Sequence, residues 1–177
     1  MSQVTITEVT GGADLETVRD LCRAFRHGQY ERYGQQIERI EQQYGEAVFE
    51  KTLGRLSELH APPRGVIFLA RKDDEPAGCV MLTPIDDKMC EMKRMFVDPA
   101  TRRHSIGRAL CIAVLTAAKA RGFAAMRLDT GPLQHEAVAL YRGLGFLPRD
   151  PYEEDGPKWP DKVFLARDLR DFEPECG

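Results

Sequence analysis

The sequence predicts an α/β chain in which a mixed β-sheet is flanked by helices. Three observations carry that prediction. Short β-branched or apolar runs alternate with segments of helical period along the chain. Two of those runs, Val66–Ala70 and Ala77–Leu82, are joined by the polar turn Asp73-Asp74-Glu75-Pro76 and form a hairpin. Later runs are separated by helical segments, so hairpins and crossovers share one sheet. At 177 residues and 42% hydrophobic content the chain can bury a core without disulfides or metals, which predicts a single domain over residues 1–177.

The elements follow in order. Val4-Thr5-Ile6-Thr7-Glu8-Val9 alternates and is β-branched, so it is a first strand, broken by Gly11-Gly12. Asp14 is a helix cap, Leu15, Val18, Leu21, Cys22 and Phe25 share one helical face, and Gly28 is the expected stop. A second helical region runs from about Gln35 to Leu59, with Ile37, Ile40, Tyr44, Val48 and Leu53 as its apolar face and Gly45 and Gly54 interrupting it. Ala61-Pro62-Pro63-Arg64-Gly65 ends it, and the hairpin follows. Residues 89–97 make a further strand. The next helix places Ile106, Leu110, Ala113, Val114 and Ala117 on one face and stops at Gly122. Ala124–Leu128 is a strand, and Gln134–Leu144 a helix closed by Gly145-Phe146. Residues 148–161, rich in Pro, Gly and charge, are a loop. Val163–Ala166 is a last strand, and the tail beyond Asp171 frays.

Composition excludes several classes of function. A net charge of −3 argues against general nucleic-acid binding. No stretch approaches the roughly 18 apolar residues of a membrane span. The segment Met1-Ser2-Gln3-Val4-Thr5 has no signal-peptide pattern, so a cytoplasmic location is the default. Cys22, Cys79, Cys90, Cys111 and Cys176 are odd in number and form no C-x-x-C pair, which reads as reduced thiols rather than a disulfide frame or a metal site. Cys90 adjoins the strand at 89–97 and reads as a buried residue ahead of a nucleophile.

The most informative stretch is residues 91–110. An apolar-flanked run ends at Val97-Asp98-Pro99, a basic turn follows through Arg102, Arg103 and Arg108, and a helix begins. The first amides of a helix have no partner within it and sit at the positive end of its dipole. That arrangement binds phosphate, and arginines in the turn strengthen the attraction. At these residues the chain resembles the GNAT superfamily of acyl-CoA-dependent N-acetyltransferases. Arg102 to Gly107 follows the signature (Arg/Gln)-x-x-Gly-x-(Gly/Ala), with Ser105 where the first glycine is usual. Leu140-Tyr141-Arg142-Gly143-Leu144-Gly145-Phe146 follows the superfamily's L-Y-x-x-x-G-F.

The resemblance implies a mixed, mostly antiparallel sheet of six to seven strands and acetyl-CoA as co-substrate, with no metal. It implies that the turn Arg102, Arg103, His104, Ser105, Ile106, Gly107 and Arg108 holds the coenzyme A diphosphate. The Ser105 hydroxyl would bond that phosphate or cap the helix. Met95, Phe96 and Val97 would pair with the pantetheine arm as an added strand, with an amide near Phe96 facing the thioester oxygen. Gln134 stands where many members carry an asparagine that contacts the pantetheine. Tyr141 would protonate, or hydrogen-bond, the departing thiolate. Glu91 stands where related enzymes place a general base, although Lys93 on the same strand face opposes that role; a structural salt bridge is the other reading.

The acceptor site would be built from residues 26–60 and the loop at 148–161. Tyr30, Tyr33, Tyr152 and Trp159 are candidates for its lining. Glu31, Glu38, Glu41 and Glu46 would favour a cationic amine or form a solvated helix face. The resulting expectation is N-acetylation of a small primary amine in a ternary complex. A protein lysine or N-terminal amine is the second substrate class, and a non-catalytic coenzyme A sensor the alternative outside enzymes. Many members pair as homodimers, which the sequence leaves open; no nucleic-acid or membrane partner is expected.

Overall fold

The computed structural model describes residues 3–38, 41, 45–101, 105–152 and 162–174. Seven strands are present: β1 (Val4–Glu8), β2 (Val66–Lys72), β3 (Glu75–Pro84), β4 (Met89–Val97), β5 (Ala125–Thr130), β6 (Leu147–Pro148) and β7 (Val163–Asp168). Five α-helices are described: α1 (Gly12–Tyr33), α2 (Glu46–Gly54), α3 (Leu56–Leu59), α4 (Ile106–Ala120) and α5 (His135–Gly143). The strands form one sheet in the order β1-β2-β3-β4-β5-β7-β6. Only β4 and β5 run parallel; the other neighbours are antiparallel. The predicted mixed, mostly antiparallel sheet is therefore observed.

Strand alternation sends side chains to two cores. Val80, Leu82, Cys90, Met92, Met126 and Leu128 face α4 and α5, where Leu110, Val114, Tyr141 and Phe146 complete one cluster. Ile67, Leu69, Cys79, Met81 and Phe96 face the other way, onto Leu15, Val18 and Cys22 of α1 and onto Leu53 and Leu56. The described part of the chain carries no helix long and apolar enough to cross a membrane.

The structure departs from the sequence reading at several elements. Gly28 does not end α1, which continues to Tyr33 and stops at Gly34, where φ is +48°. A mid-helix glycine costs about 1 kcal/mol relative to alanine. Tertiary contacts outweigh that cost: Tyr33 is buried and the Arg32 guanidinium donates to the Leu133 carbonyl at 2.9 Å. Asp14 is not the cap, since α1 begins at Gly12; its carboxylate instead pairs with Arg71 at 2.8 Å. The region 35–59 is not one helix: α2 starts after Gly45, and Arg55 separates it from α3. Ile40 and Tyr44 lie outside the described residues. The start of the expected 148–161 loop contributes to β6, which pairs with Leu165 and Ala166.

Two irregularities in β4 position the site. Its parallel pairing with β5 covers Met89↔Ala125 to Glu91↔Arg127 and goes no further, so Met92–Val97 present an edge unpaired with β5. The β3–β4 register also shifts between Cys79 and Met81, and Arg94 adopts φ +50°. That is a β-bulge, one extra residue that bends the strand and re-aims its side chains. Gly78 permits the close approach there, because a Cβ would lie 2.5 Å from the Phe96 carbonyl oxygen.

His60, after α3, is buried against β3. Its Nδ1 lies 3.1 Å from the Leu82 carbonyl and 2.8 Å from the Thr83 hydroxyl. A carbonyl only accepts, so Nδ1 carries the proton in the neutral ring. Burial, with help from Arg94 and Lys93, pushes its pKa down to about 4. Above the unfolded value of about 6.5 the ring is neutral in both states and contributes nothing to the pH dependence; below it only the unfolded chain binds the proton. Stability should therefore fall by about 3 kcal/mol between pH 6.5 and 4 from this group. Urea unfolding across that range should show the loss, and a His60→Asn variant should show a flatter profile.

Candidate active site

Where β4 and β5 part, two cavities meet. The larger, about 920 Å³, runs along the β4 edge at Met95, Phe96 and Val97 to the head of α4 at Ser105, Ile106, Gly107 and Arg108. Its other wall is α5, through Gln134, Ala137, Leu140 and Tyr141. The smaller, about 310 Å³, lies between α1 and the diverging strands, with Phe25, Tyr30, Tyr33, Phe49, Arg94 and Asp129 among its walls. Phe25, Gln29, Met95, Gln134 and Tyr141 border both.

The described part of the sequence-predicted cofactor set thus shares one groove. Arg102, Arg103 and His104 lie outside the described residues. Ser105 is the residue at the N-cap of α4, and it adopts φ +57° with no side-chain cap bond. The expected capping role is therefore corrected: the backbone there is left-handed, which turns the hydroxyl away from the cap arrangement and explains why glycine suits this place. Gly107 sits where the helix head is tightest. A Cβ would lie 3.2 Å from Leu140 and 3.3 Å from Met95, across the groove floor.

Tyr141 is placed by α5 with its ring edge-on to Phe146, at 5.9 Å between centroids. It is buried at 5% exposure while bordering both cavities. Burial, reinforced by Cys111 and Asp129, pushes its phenol above the usual range, so it keeps its proton at neutral pH. Gln134 stands at the junction, at the N-cap of α5, and makes no cap bond.

Glu91 borders neither cavity. Its Oε1 accepts from the Tyr152 hydroxyl at 3.1 Å and lies 3.1 Å from Lys93 Nζ; its Oε2 lies 3.7 Å from the Arg127 guanidinium. The carboxylate has these three partners at the fork between β4 and β5. Lys93 sits beside it, as alternation implied. Tyr152 is also not a cavity wall; its ring lies under Arg127 at 3.8 Å and packs on Phe164. Trp159 lies outside the described residues.

The acceptor lining is only partly as expected. Tyr30 and Tyr33 border the smaller cavity, but Glu31, Glu38, Glu41 and Glu46 do not. Of the two readings of those glutamates, an acidic lining is not what the described walls show: they carry Arg26, Lys93, Arg94 and Lys162 and, among the described residues, one carboxylate, Asp129. Glu41 is spent on Arg26, outside the cavity. Asp129, Arg94 and Lys162 were not singled out from the sequence. Asp129 lies just past the predicted strand Ala124–Leu128 but within β5, and its alternation with Arg127 is the sequence signal for the face it takes. Gly131 closes the wall next to it: a Cβ there would lie 2.0 Å from the Tyr33 hydroxyl, which accepts from the Leu133 amide at 3.3 Å. Among the described residues no group of side chains has the makings of a metal site.

Comparison with known proteins agrees with this arrangement. The acetyltransferase (GNAT) family profile matches residues 21–146. An IAA acetyltransferase of Azospirillum brasilense is 36% identical over 110 residues, covering 62% of this chain and 71% of that protein. An uncharacterized N-acetyltransferase of Schizosaccharomyces pombe is 35% identical over 112 residues, covering 62% of this chain and 68% of that one. The fold is similar to that of PaiA N-acetyltransferase from Thermoplasma acidophilum, solved in complex with coenzyme A, with a TM-score of 0.70, 19% identity, and coverage of 94% of this chain and 99% of that one.

Two substitutions test the groove head. The left-handed backbone at Ser105 costs about 1–2 kcal/mol for a residue with a Cβ, and glycine returns about 0.5–1 through unfolded-state entropy. Ser105→Gly should therefore raise stability by about 0.5–1 kcal/mol in thermal unfolding. Gly107→Ala should change acetyl-CoA binding by no more than about threefold in calorimetry while the fold persists by circular dichroism, since the signature admits alanine there and only the flexible ends of Leu140 and Met95 have to yield.

Proposed function

This chain belongs to the GNAT acetyltransferase family, and from that premise we propose that it moves an acetyl group from acetyl-CoA to the primary amine of a small molecule, by direct attack with both substrates bound. The observation that carries this is the meeting of a long groove and a compact second cavity at Tyr141. A volume of about 310 Å³ suits a small acceptor.

The groove fits the co-substrate on three counts. The amides of Ile106, Gly107 and Arg108 at the head of α4 are the anion site for the diphosphate. The edge Met95–Val97, left without a β5 partner and lining the groove, offers amides and carbonyls to the pantetheine amides. Gly107 leaves the room that a Cβ would fill. Acetyl-CoA supplies the activated acyl group. The Gln134 amide steadies the arm at the junction of the cavities.

Two side chains handle protons. The Tyr141 hydroxyl donates a hydrogen bond to the departing sulfur. With its pKa raised and a thiol near about 8.5, it stabilises the thiolate chiefly by that bond rather than by surrendering its proton. Asp129, on the wall of the acceptor cavity and near enough to raise the Tyr141 pKa, draws in the ammonium and takes its proton. An ammonium has no lone pair, so Asp129 takes that proton before the nitrogen attacks; as the tetrahedral intermediate collapses the C–S bond breaks and the second N–H proton ends on the departing sulfur. Glu91 supports this site by tying down Lys93 and Tyr152.

Thiol release from acetyl-CoA over a panel of small amines and peptides tests the reading. Turnover with small amines is expected. Tyr141→Phe should lower kcat about 100-fold with little change in KM for acetyl-CoA, and Asp129→Asn should lower kcat/KM for the amine by a similar factor. Turnover with peptides alone would overturn the small-molecule assignment, and unchanged rates in either variant would remove that residue from its role.

A further inference from the structure

The charges around the smaller cavity do not cancel. Among the described residues four cationic side chains and one carboxylate line it. Three of the cations have a carboxylate of their own. Arg26 pairs with Glu41, Lys93 with Glu91 at 3.1 Å, and Lys162 with Asp129 at 3.3 Å. Arg94 remains. Its guanidinium lies 5.8 Å over the Phe49 ring, and among the described residues it has no ion-pair partner. A partly buried cation on an aromatic wall, with no anion of its own, is a binding site awaiting one.

The backbone explains how Arg94 comes to face the cavity. It is the left-handed residue of the β4 bulge, φ +50°. The Cys79 thiol donates to its carbonyl at 3.6 Å, and Gly78 allows β3 to approach closely enough for that. A bulge spends a ladder position to aim one side chain, and here the side chain it aims is a charged wall of the cavity.

We infer that the acceptor is an amine that also carries a carboxylate, an amino acid or similar compound with an apolar side chain, and that Arg94 is the residue that selects it by binding that carboxylate. The inference rests on the reading of the smaller cavity as the acceptor chamber. Three groups of such a molecule then find matching walls. The amine meets Asp129 and Tyr141, the carboxylate meets Arg94, and the apolar body meets Phe25, Phe49 and Leu128. Asp129 is shared between Lys162 and the incoming amine, so the match is local: the guanidinium with no carboxylate among the described residues meets the acceptor's one carboxylate, whereas a phosphate dianion would ask for a second cation. The planar guanidinium fork fits two carboxylate oxygens side by side.

The test compares the common amino acids, each beside its amide, as acceptors in the thiol-release assay, with wild type, Arg94→Gln and Arg94→Lys. In the wild type the best amino acids should exceed their amides by about 10- to 100-fold in kcat/KM. Arg94→Gln should collapse that ratio towards one through the KM for the amino acid, and Arg94→Lys should restore part of it. Acetyl-CoA binding by calorimetry reports folding in each variant, because Arg94 does not border the groove. Amides used as well as their acids, or a ratio that survives Arg94→Gln, would overturn the inference while leaving the acetyltransfer to small amines standing. Turnover with no amine of either kind would instead sink the function proposed above.

Discussion

The site depends on a sheet that stops pairing in its middle. β4 and β5 share only three register positions before they part, and every functional feature lies beyond that point. Had the pairing continued, Met92–Val97 would have no free amides and the two cavities would be closed by a strand ladder. What marks the fork is the buried pair Glu91 and Arg127 at the last paired residues, with Lys93 and Tyr152 beside it. Losing one partner from such a cluster leaves a buried charge uncompensated, which is strongly destabilising. Glu91 sits where the strands separate and pairs with Lys93, which lines the smaller cavity.

Each side of the fork then gets a different character. Towards α4 the groove is made mostly from main chain: helix-head amides, a strand edge and a glycine. Such a surface recognises a diphosphate and a row of amides, chemistry that the protein can read without specific side chains. Towards α1 the cavity is made from side chains, aromatic rings and a set of charges. That division matches the roles proposed for the two cavities, one for a constant donor and one for a particular acceptor.

The legible part of the sequence is the local part. The turn at 102–108 and the stretch 140–146 are contiguous, and helix starts, strand ends and glycine stops leave marks within a few residues. Tyr141, Gln134, Ser105, Gly107 and Met95–Val97 were therefore found before the fold and lie on one groove. The acceptor side is assembled across the chain. Arg94 acquires its direction from a bulge set by Gly78 and Cys79 on another strand, which no spacing within β4 reveals. A buried partner of Glu91 is Arg127, 36 residues away and visible only through register. Acidic residues of the first helices suggested a cationic acceptor because composition carries no direction; Glu41 turns to Arg26 instead.

Burial at the junction sets the proton chemistry. Tyr141 is raised because a phenolate there would lose water and face Asp129. The same loss of water acts on an incoming ammonium, but with the opposite neighbour effect, since Asp129 repels a phenolate and attracts a cation. In the proposed reaction the phenol stays protonated and the amine arrives charged, drawn by the Asp129 carboxylate that takes its proton. A thiolate leaving into this environment is the least solvated species of the cycle, and the Tyr141 hydroxyl is the donor that both cavities share. Moving that hydroxyl to the surface would ease its ionisation, yet it would also admit water to a thioester that water can hydrolyse. The raised pKa and the protected donor are two consequences of one buried position.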